Sequence, residues 1–263
     1  RERLAVAAFA DAIEVLPTTL AENAGMDPID AMAELQSRHA KGEKWAGVEA
    51  LSAKISDMEK LEIIEERLAD TEWLFVSALN GDWKGNLKKI LDIRERHGLK
   101  LALNPGQHNI KHDAQEVLQA IRQTDVLILN KDEAIELIMQ SPEKHVREEL
   151  DDELFLLSAL HEAGAKVIGM TDGKRGAWGS DGKERWYCPI HTRAGVVDST
   201  GCGDAFGSGF FAALLEERPL DVALRYGMAE SGSVVGFYGA IDGLLRPEEM
   251  EELIQKIIPE RLK

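Results

Sequence analysis

The rhythm of hydrophobic and polar positions changes near residue 68. Beyond it, short apolar runs of strand length alternate with longer stretches of helical period. The runs are residues 73–78 (WLFVSA), 100–104 (KLALN), 126–130 (VLILN) and 166–171 (KVIGMT), whose near-continuous apolar character marks strands buried on both faces. Between them the pattern predicts helices at about 84–97, 113–122, 131–139 and 149–163. Residues 173–189 predict a strand, a tight Ser-Asp-Gly turn and a second strand, an antiparallel hairpin at the edge of the sheet. The last third is expected to be helical, with one helix over 205–215 and another starting at Arg246-Pro247-Glu248-Glu249. Strands alternating with helices imply an α/β layer built on a largely parallel sheet.

The stretch before residue 68 has a different character. Residues 1–16 (RERLAVAAFADAIEVL) form an amphipathic helical pattern that Pro17 interrupts, and Asp27-Pro28 offers a cap and first turn for a helix to about residue 40.

Composition narrows the class. A chain of 263 residues is long enough for one large domain or two smaller ones with a sizeable core. Its formal net charge of -16 disfavours nucleic acid and anionic membrane as partners. Only Cys188 and Cys202 are present, far from any metal-ligand spacing, which predicts a reducing, cytoplasmic location without a disulfide framework. No apolar run approaches bilayer-spanning length, and the first residues carry no signal-peptide pattern.

The candidate chemistry concentrates at residues 197–206 (VDSTGCGDAF). Gly201 and Gly203 allow a sharp turn that aims consecutive amides at one point, and the helix that follows adds the positive end of its dipole. Asp204 falls at the same point, either as a base for an attacking hydroxyl or, more plainly, as a helix cap. The segment Asp198-Ser199-Thr200-Gly201-Cys202-Gly203-Asp204 resembles the Asp-Thr-x-Gly-Ala-Gly-Asp signature of the PfkB (ribokinase-like) sugar and nucleoside kinases, with Ser199 and Cys202 as mild departures. The resemblance implies that the backbone of Gly201, Cys202 and Gly203 forms an anion hole and that Asp204 is the catalytic base, with Asp198 and Thr200 beside the nucleotide. ATP and magnesium are the cofactors it implies, and the acceptor is a small-molecule hydroxyl.

Three further motifs fit the same family. Asn130-Lys131-Asp132-Glu133 follows a strand and resembles the Asn-x-x-Glu motif, which implies that Asn130 and Glu133 help hold magnesium, through water. The same four residues also suit an ordinary helix start. Thr171, Gly173 and Gly176 resemble the Thr-x-Gly-x-x-Gly loop that closes over the nucleotide, though a plain hairpin entry needs the same residues. Asn104-Pro105-Gly106 resembles the segment near the phosphate acceptor, and is also a good turn. Asn104, Asn130 and Thr171 all end strands, where open α/β sheets bind ligands.

Residues 1–68 resemble something else, the C-terminal part of the equatorial domain of group II chaperonins. Leu20-Ala21-Glu22-Asn23-Ala24-Gly25-Met26-Asp27-Pro28-Ile29-Asp30 and residues 42–47 (GEKWAG) carry the likeness, which weakens thereafter. Gly47 and Asp57 match positions that border ATP in that family. Glu66 stands where a proline is expected, and the chaperonin's phosphate loops and catalytic aspartate are absent, so no ATPase is expected from this segment. Ribokinase-like chains open with strands carrying a Gly-Gly pair and a small β lid, and neither is found here. The expectation is therefore a chimeric chain. A helical chaperonin-like segment over 1–68, suited to oligomerisation, precedes a ribokinase-like, largely parallel sheet over 69–263 that is truncated at its N-terminal side. Two functions follow from this: phosphotransfer to a sugar or nucleoside hydroxyl, or a catalytically silent nucleotide-binding or assembly module.

Overall fold

A computed structural model describes residues 14, 17–49, 53–58, 63, 65–141, 146–192, 195–240 and 242–263. The helix expected over residues 1–16 falls almost wholly outside the described residues. The chain divides into two compact units, residues 1–64 and residues 65–263.

In the first unit, helix α1 (Pro28–Ala40) starts where the sequence predicts. The Asp27 carboxylate accepts hydrogen bonds from the amides of Ile29 (2.8 Å) and Asp30 (3.1 Å), with Pro28 in the first turn. A two-stranded antiparallel hairpin follows, β1 (Ala46–Glu49) with β2 (Lys54–Asp57), in the register Ala46 opposite Asp57. The unit is thus not helical throughout. Ala31 and Leu35 from α1 meet Ala46, Val48 and Ile55 from the hairpin in a small core of their own.

The second unit is a seven-stranded mixed sheet in the order β3 to β9. Strands β3 (Trp73–Val76), β4 (Lys100–Leu103), β5 (Val126–Asn130) and β6 (Val167–Thr171) run parallel, and β7 (Ala177–Ser180), β8 (Arg185–Cys188) and β9 (Glu260–Leu262) continue antiparallel. The predicted hairpin is β7–β8, but it is not the edge. β9 pairs outside it, held by an ion pair from Arg261 to Glu184 at 2.8 Å.

The helices between the parallel strands follow from local signals. A short helix α2 (Glu65–Leu68) precedes β3, and α3 (Trp83–His97) buries Trp83, Leu87, Ile90 and Ile93 along one stripe. Asp82 caps the start of α3, and left-handed Gly98 ends it. α4 (Gly106–Ile121) begins seven residues earlier than its periodicity predicts, because Asn104-Pro105-Gly106 opens a helix rather than a simple turn. Asp113 leaves helical geometry inside α4 and caps the second half, accepting from the Glu116 amide. α5 (Lys131–Met139) matches its prediction. The helix expected over 149–163 is split into α6 (Arg147–Leu150) and α7 (Glu153–Glu162), because Asp152 is extended and caps α7.

Helices α8 (Cys202–Leu215), α9 (Leu220–Val234) and α10 (Pro247–Ile254) cover one face of the sheet. Phe206, Phe210 and Leu224 bury there against Val126, Ile128 and Ala177. Truncating Phe210 to alanine would cost about 3–5 kcal/mol. This packing fixes the start of α8 at the carboxyl ends of the parallel strands. Among the described residues, no helix is long and apolar enough to cross a membrane.

Candidate active site

Where β3, β4, β5 and β6 end, the chain leaves a cleft of about 260 Å³. Its floor is made by residues at the strand ends: Ser77 and Ala78 past β3, Asn104 past β4, and Asn130 and Thr171 as the last residues of β5 and β6. The start of α8 forms the opposite wall, with Gly201, Gly203 and Asp204. The cleft brings together seven of the residues singled out from the sequence: Asn104, Asn130, Glu133, Thr171, Gly201, Gly203 and Asp204.

The α8 wall is set by backbone geometry. Gly201 sits in the left-handed region (φ 77°), and a Cβ on it would lie 2.6 Å from both Cα and Cβ of Ala240. Gly203 by contrast has open space where its Cβ would point. The Ala205 amide donates to Gly201 and the Cys202 amide to the Ser199 carbonyl at 3.2 Å. Among the described residues, the amides of Gly203 and Asp204 have no backbone acceptor. Orphan donors at the end of a 14-residue helix make a ready anion site. Asp204 is exposed in the first turn of α8 and does not cap it, since its carboxylate has no hydrogen-bond or ion-pair partner among the described residues.

Asp198 and Thr200 stand behind this turn rather than on the cleft. One Asp198 oxygen accepts from the Thr200 amide (2.9 Å) and hydroxyl (2.8 Å), and the other accepts from the Gly239 amide (3.1 Å). These donors hold the Asp198 carboxyl below the usual carboxylate range. The carboxylate thereby ties the turn to the segment after α9. The half-buried Cys202 thiol points back to the Asp198 carbonyl at 3.9 Å, and burial pushes its pKa up. Cys188 lies elsewhere, fully buried, with its thiol pushed up to about 12 by burial.

The opposite wall is fully engaged. Asn130 and Glu133 form a reciprocal capping box: the Asn130 side chain accepts from the Glu133 amide, and Glu133 accepts from the Asn130 amide, each at 2.9 Å. Helix start and cleft lining therefore coincide in the same residues. Burial raises the Glu133 pKa, and backbone donors from Asn130 and Gln107 offset part of that rise.

After Thr171 the chain makes a short 3-10 turn, Gly173–Arg175, before Gly176. Gly173 and Gly176 both have positive φ, and neither lines the cleft. A Cβ on Gly176 would stand 2.3 Å from the Cys188 carbonyl oxygen, which restricts that position to glycine. Sequence reasoning missed Ser77 and Ala78, because the apolar run there continues past the true end of β3. It also missed Lys131, Glu153, Asp172 and Arg175, which join in ion pairs beneath this turn.

In the first unit, Asp57 lines a separate concavity with Arg38, Lys44 and Trp45, while Gly47 is covered by the Met58 side chain and does not line it.

Comparison with known proteins finds two kinds of relative, whose family matches overlap over residues 48–79. The model of the TCP-1/cpn60 chaperonin family matches residues 1–79. A thermosome subunit beta from Archaeoglobus fulgidus is 50% identical over 72 residues, which are 27% of this chain and 13% of that protein. A protein of E. coli described as Ribokinase II superposes with a TM-score of 0.62 at 21% identity, over 74% of this chain and 62% of its own. In complex with ATP and Mg the same protein gives 0.60 at 22% identity, over 74% and 62%. The nucleoside kinase of Methanocaldococcus jannaschii gives 0.59 at 22% identity, over 71% and 57%. The chain thus spans about three fifths of these kinases' lengths and a small part of the thermosome subunit's. These likenesses establish a ribokinase-like α/β fold behind a chaperonin-type segment. The model of the pfkB family carbohydrate kinases matches residues 48–246, well over half of the chain, and the protein belongs to that family.

Proposed function

We propose that this chain moves the γ-phosphoryl group of magnesium ATP to a hydroxyl of a sugar or nucleoside. One juxtaposition carries the proposal: an exposed carboxylate and two amides at a helix start, which among the described residues have respectively no hydrogen-bond or ion-pair partner and no backbone acceptor, share one cleft with the Asn130–Glu133 turn at the carboxyl ends of parallel strands. Family membership supports a carbohydrate acceptor, and the similar protein named as a nucleoside kinase keeps nucleosides in the class. The similar E. coli protein in complex with ATP and Mg supports the cofactors.

The residues fit those cofactors. Gly203 leaves room for an oxygen where a side chain would stand. Asn130 and Glu133 each commit one oxygen to the capping box, and no three acidic, His or Cys side chains cluster among the described residues. Magnesium would therefore be reached through water and phosphate oxygens, as that ion prefers. Magnesium ATP, when bound, supplies the phosphoryl group and neutralises charge on it. Asp204 takes the proton from the acceptor hydroxyl as it attacks, and its exposure gives that hydroxyl access. The Gly203 and Asp204 amides, at the positive end of α8, stabilise the charge on the oxygens in transfer, and Gly201 makes the turn that aims them. Asp198 and Thr200 hold that turn, Thr171 to Gly176 border the nucleotide, and Asn104 faces the acceptor.

The alternative is a catalytically silent nucleotide-binding or assembly module. It is favoured by the same exposure of Asp204, since an open site admits water, and by the partial span of the kinase neighbours. We place the junction of the two portions at residues 68/69, close to the boundary between the compact units. Oligomerisation through the N-terminal helices belongs to the same proposal, supported by likeness to a thermosome subunit.

The deciding experiment incubates the full chain with ATP, magnesium and a panel of sugars and nucleosides, and follows ADP. Release that requires an acceptor is the expected result. Nucleotide binding without acceptor-dependent release would replace the kinase with the silent module.

A further inference from the structure

Lys131 is out of place by the ordinary rules. It is the first residue of α5, where the helix dipole disfavours a cation, and it is only 7% exposed. A buried ammonium is retained when its donors are matched. Here its Nζ donates to the Asp151 carbonyl (2.6 Å) and to Glu153 Oε1 (2.7 Å), and lies 3.9 Å from Asp172 Oδ2. Arg175 closes the circuit, with Nη2 2.6 Å from Glu153 Oε1 and Nη1 3.2 Å from Asp172 Oδ2. Two cations and two anions alternate around a ring.

The position of that ring is what matters. Asn130 and Thr171 are paired across adjacent parallel strands, and both line the cleft. Lys131 and Asp172 are the next residues along the chain, just past the end of each strand. The ring therefore joins the cleft's Asn130 wall to the turn that leaves Thr171. That turn has weak means of its own to hold shape, with positive-φ glycines at 173 and 176 and three internal backbone bonds.

We infer that Lys131 is a positioning residue: through Glu153 and Arg175 it fixes residues 171–176 as the rim of the cleft beside Asn130, and so sets nucleotide affinity. The inference rests on the cleft being the nucleotide site, as proposed above. No contact of Lys131 with nucleotide is needed, and its effect passes through the turn.

The test titrates a fluorescent ATP analogue with magnesium into the full-length parent, Lys131→Met and Lys131→Arg, and follows amide hydrogen exchange at 172–176. Lys131→Met should weaken binding about 10- to 100-fold, the range seen when a supporting shell is lost. It should also speed exchange in the turn while α8 and α9 stay protected. Lys131→Arg should restore most of both. Parent affinity together with parent exchange in Lys131→Met would overturn the inference. So would a lowered melting temperature with unchanged affinity, which assigns Lys131 to the fold alone. If the parent binds no nucleotide, the proposed function fails, and exchange at 172–176 then decides the role of Lys131 by itself. Should Lys131→Met fail to fold, Arg175→Met keeps the Lys131–Glu153 pair, removes the turn's 2.6 Å tie to Glu153 and is judged by the same two measurements.

Discussion

The two walls of the cleft are built on opposite plans. On the α8 side, Asp204 is exposed and, among the described residues, it has no partner and the amides beside it have no backbone acceptor. On the β5–α5 side, Asn130 and Glu133 satisfy each other, Glu133 is buried, and Lys131 closes a ring of ion pairs behind them. A group that must take a proton or meet developing charge is useful only while it is uncommitted. A group that must hold a shape is useful only when every bond is made. The contrast assigns chemistry to one wall and placement to the other, and each assignment can be broken separately.

The largest effect is expected from Asp204→Asn. It keeps the size of the side chain and removes only its basicity, so acceptor-dependent turnover should fall by about 10²- to 10⁴-fold. Binding of magnesium nucleotide, measured by the same fluorescence titration, should stay near the parent value. Full phosphotransfer in this variant would remove the base from the α8 wall and with it the contrast.

Next in size is Gly201→Ala. The methyl group must be held at φ near 77° and would meet the backbone and Cβ of Ala240. A non-glycine residue forced into such a region costs about 1–3 kcal/mol, before any displacement of the turn. Denaturant unfolding should show a loss of at least that size, and nucleotide affinity should fall with it. Gly203→Ala is the control, since its methyl group enters open space. It should leave stability nearly unchanged while crowding the anion site. Equal destabilisation by both would mean that the turn is less specifically shaped than its geometry implies.

Much of this arrangement is legible in the sequence, and the reasons for success and failure are physical. Strands β4 to β6 are legible because burial on both faces makes them continuous apolar runs, β3 shows the same run although its Phe75 is exposed, and the ends of all four locate the cleft. The turn at 201–204 is legible because its glycines and carboxylate are contiguous. What escapes is whatever depends on partners far along the chain. β9 (Glu260–Leu262) has no apolar pattern, and its place outside β8 depends on Arg261 meeting Glu184. The hairpin β1–β2 consists of two four-residue strands with no strong alternation, visible only once Val48 and Ile55 are seen to share a core with Leu35. Asp152 divides a helix that periodicity alone runs together, because a capping aspartate costs the hydrophobic pattern nothing. Lys131 stands in plain view inside the Asn130–Glu133 motif, yet its partners lie 20 to 41 residues away, where no local rule reaches.

The smallest expected effect tests the placement wall through pH. Burial raises the Glu133 pKa in the folded protein above its ordinary value. Between those two values the folded chain keeps a proton that the unfolded chain has released. Glu133 therefore favours folding at low pH, and its contribution is lost as pH rises through the folded pKa. Glu133→Gln keeps an oxygen to accept from the Asn130 amide but cannot ionise. The difference in unfolding free energy between parent and variant should therefore move in the variant's favour as pH rises from about 4.5 towards neutrality. Subtracting the two curves removes the titration of every other carboxylate, including buried Glu230, whose pKa burial also raises. Magnesium-dependent nucleotide affinity should fall in the same variant, because the negative charge that attracts the hydrated ion is gone. A flat difference curve would show that the Glu133 carboxylate is better solvated than its burial implies. Unchanged magnesium dependence would show that the charge serves the helix start and not the ion. Either result would leave Asp204 untouched, so the two walls can be judged apart.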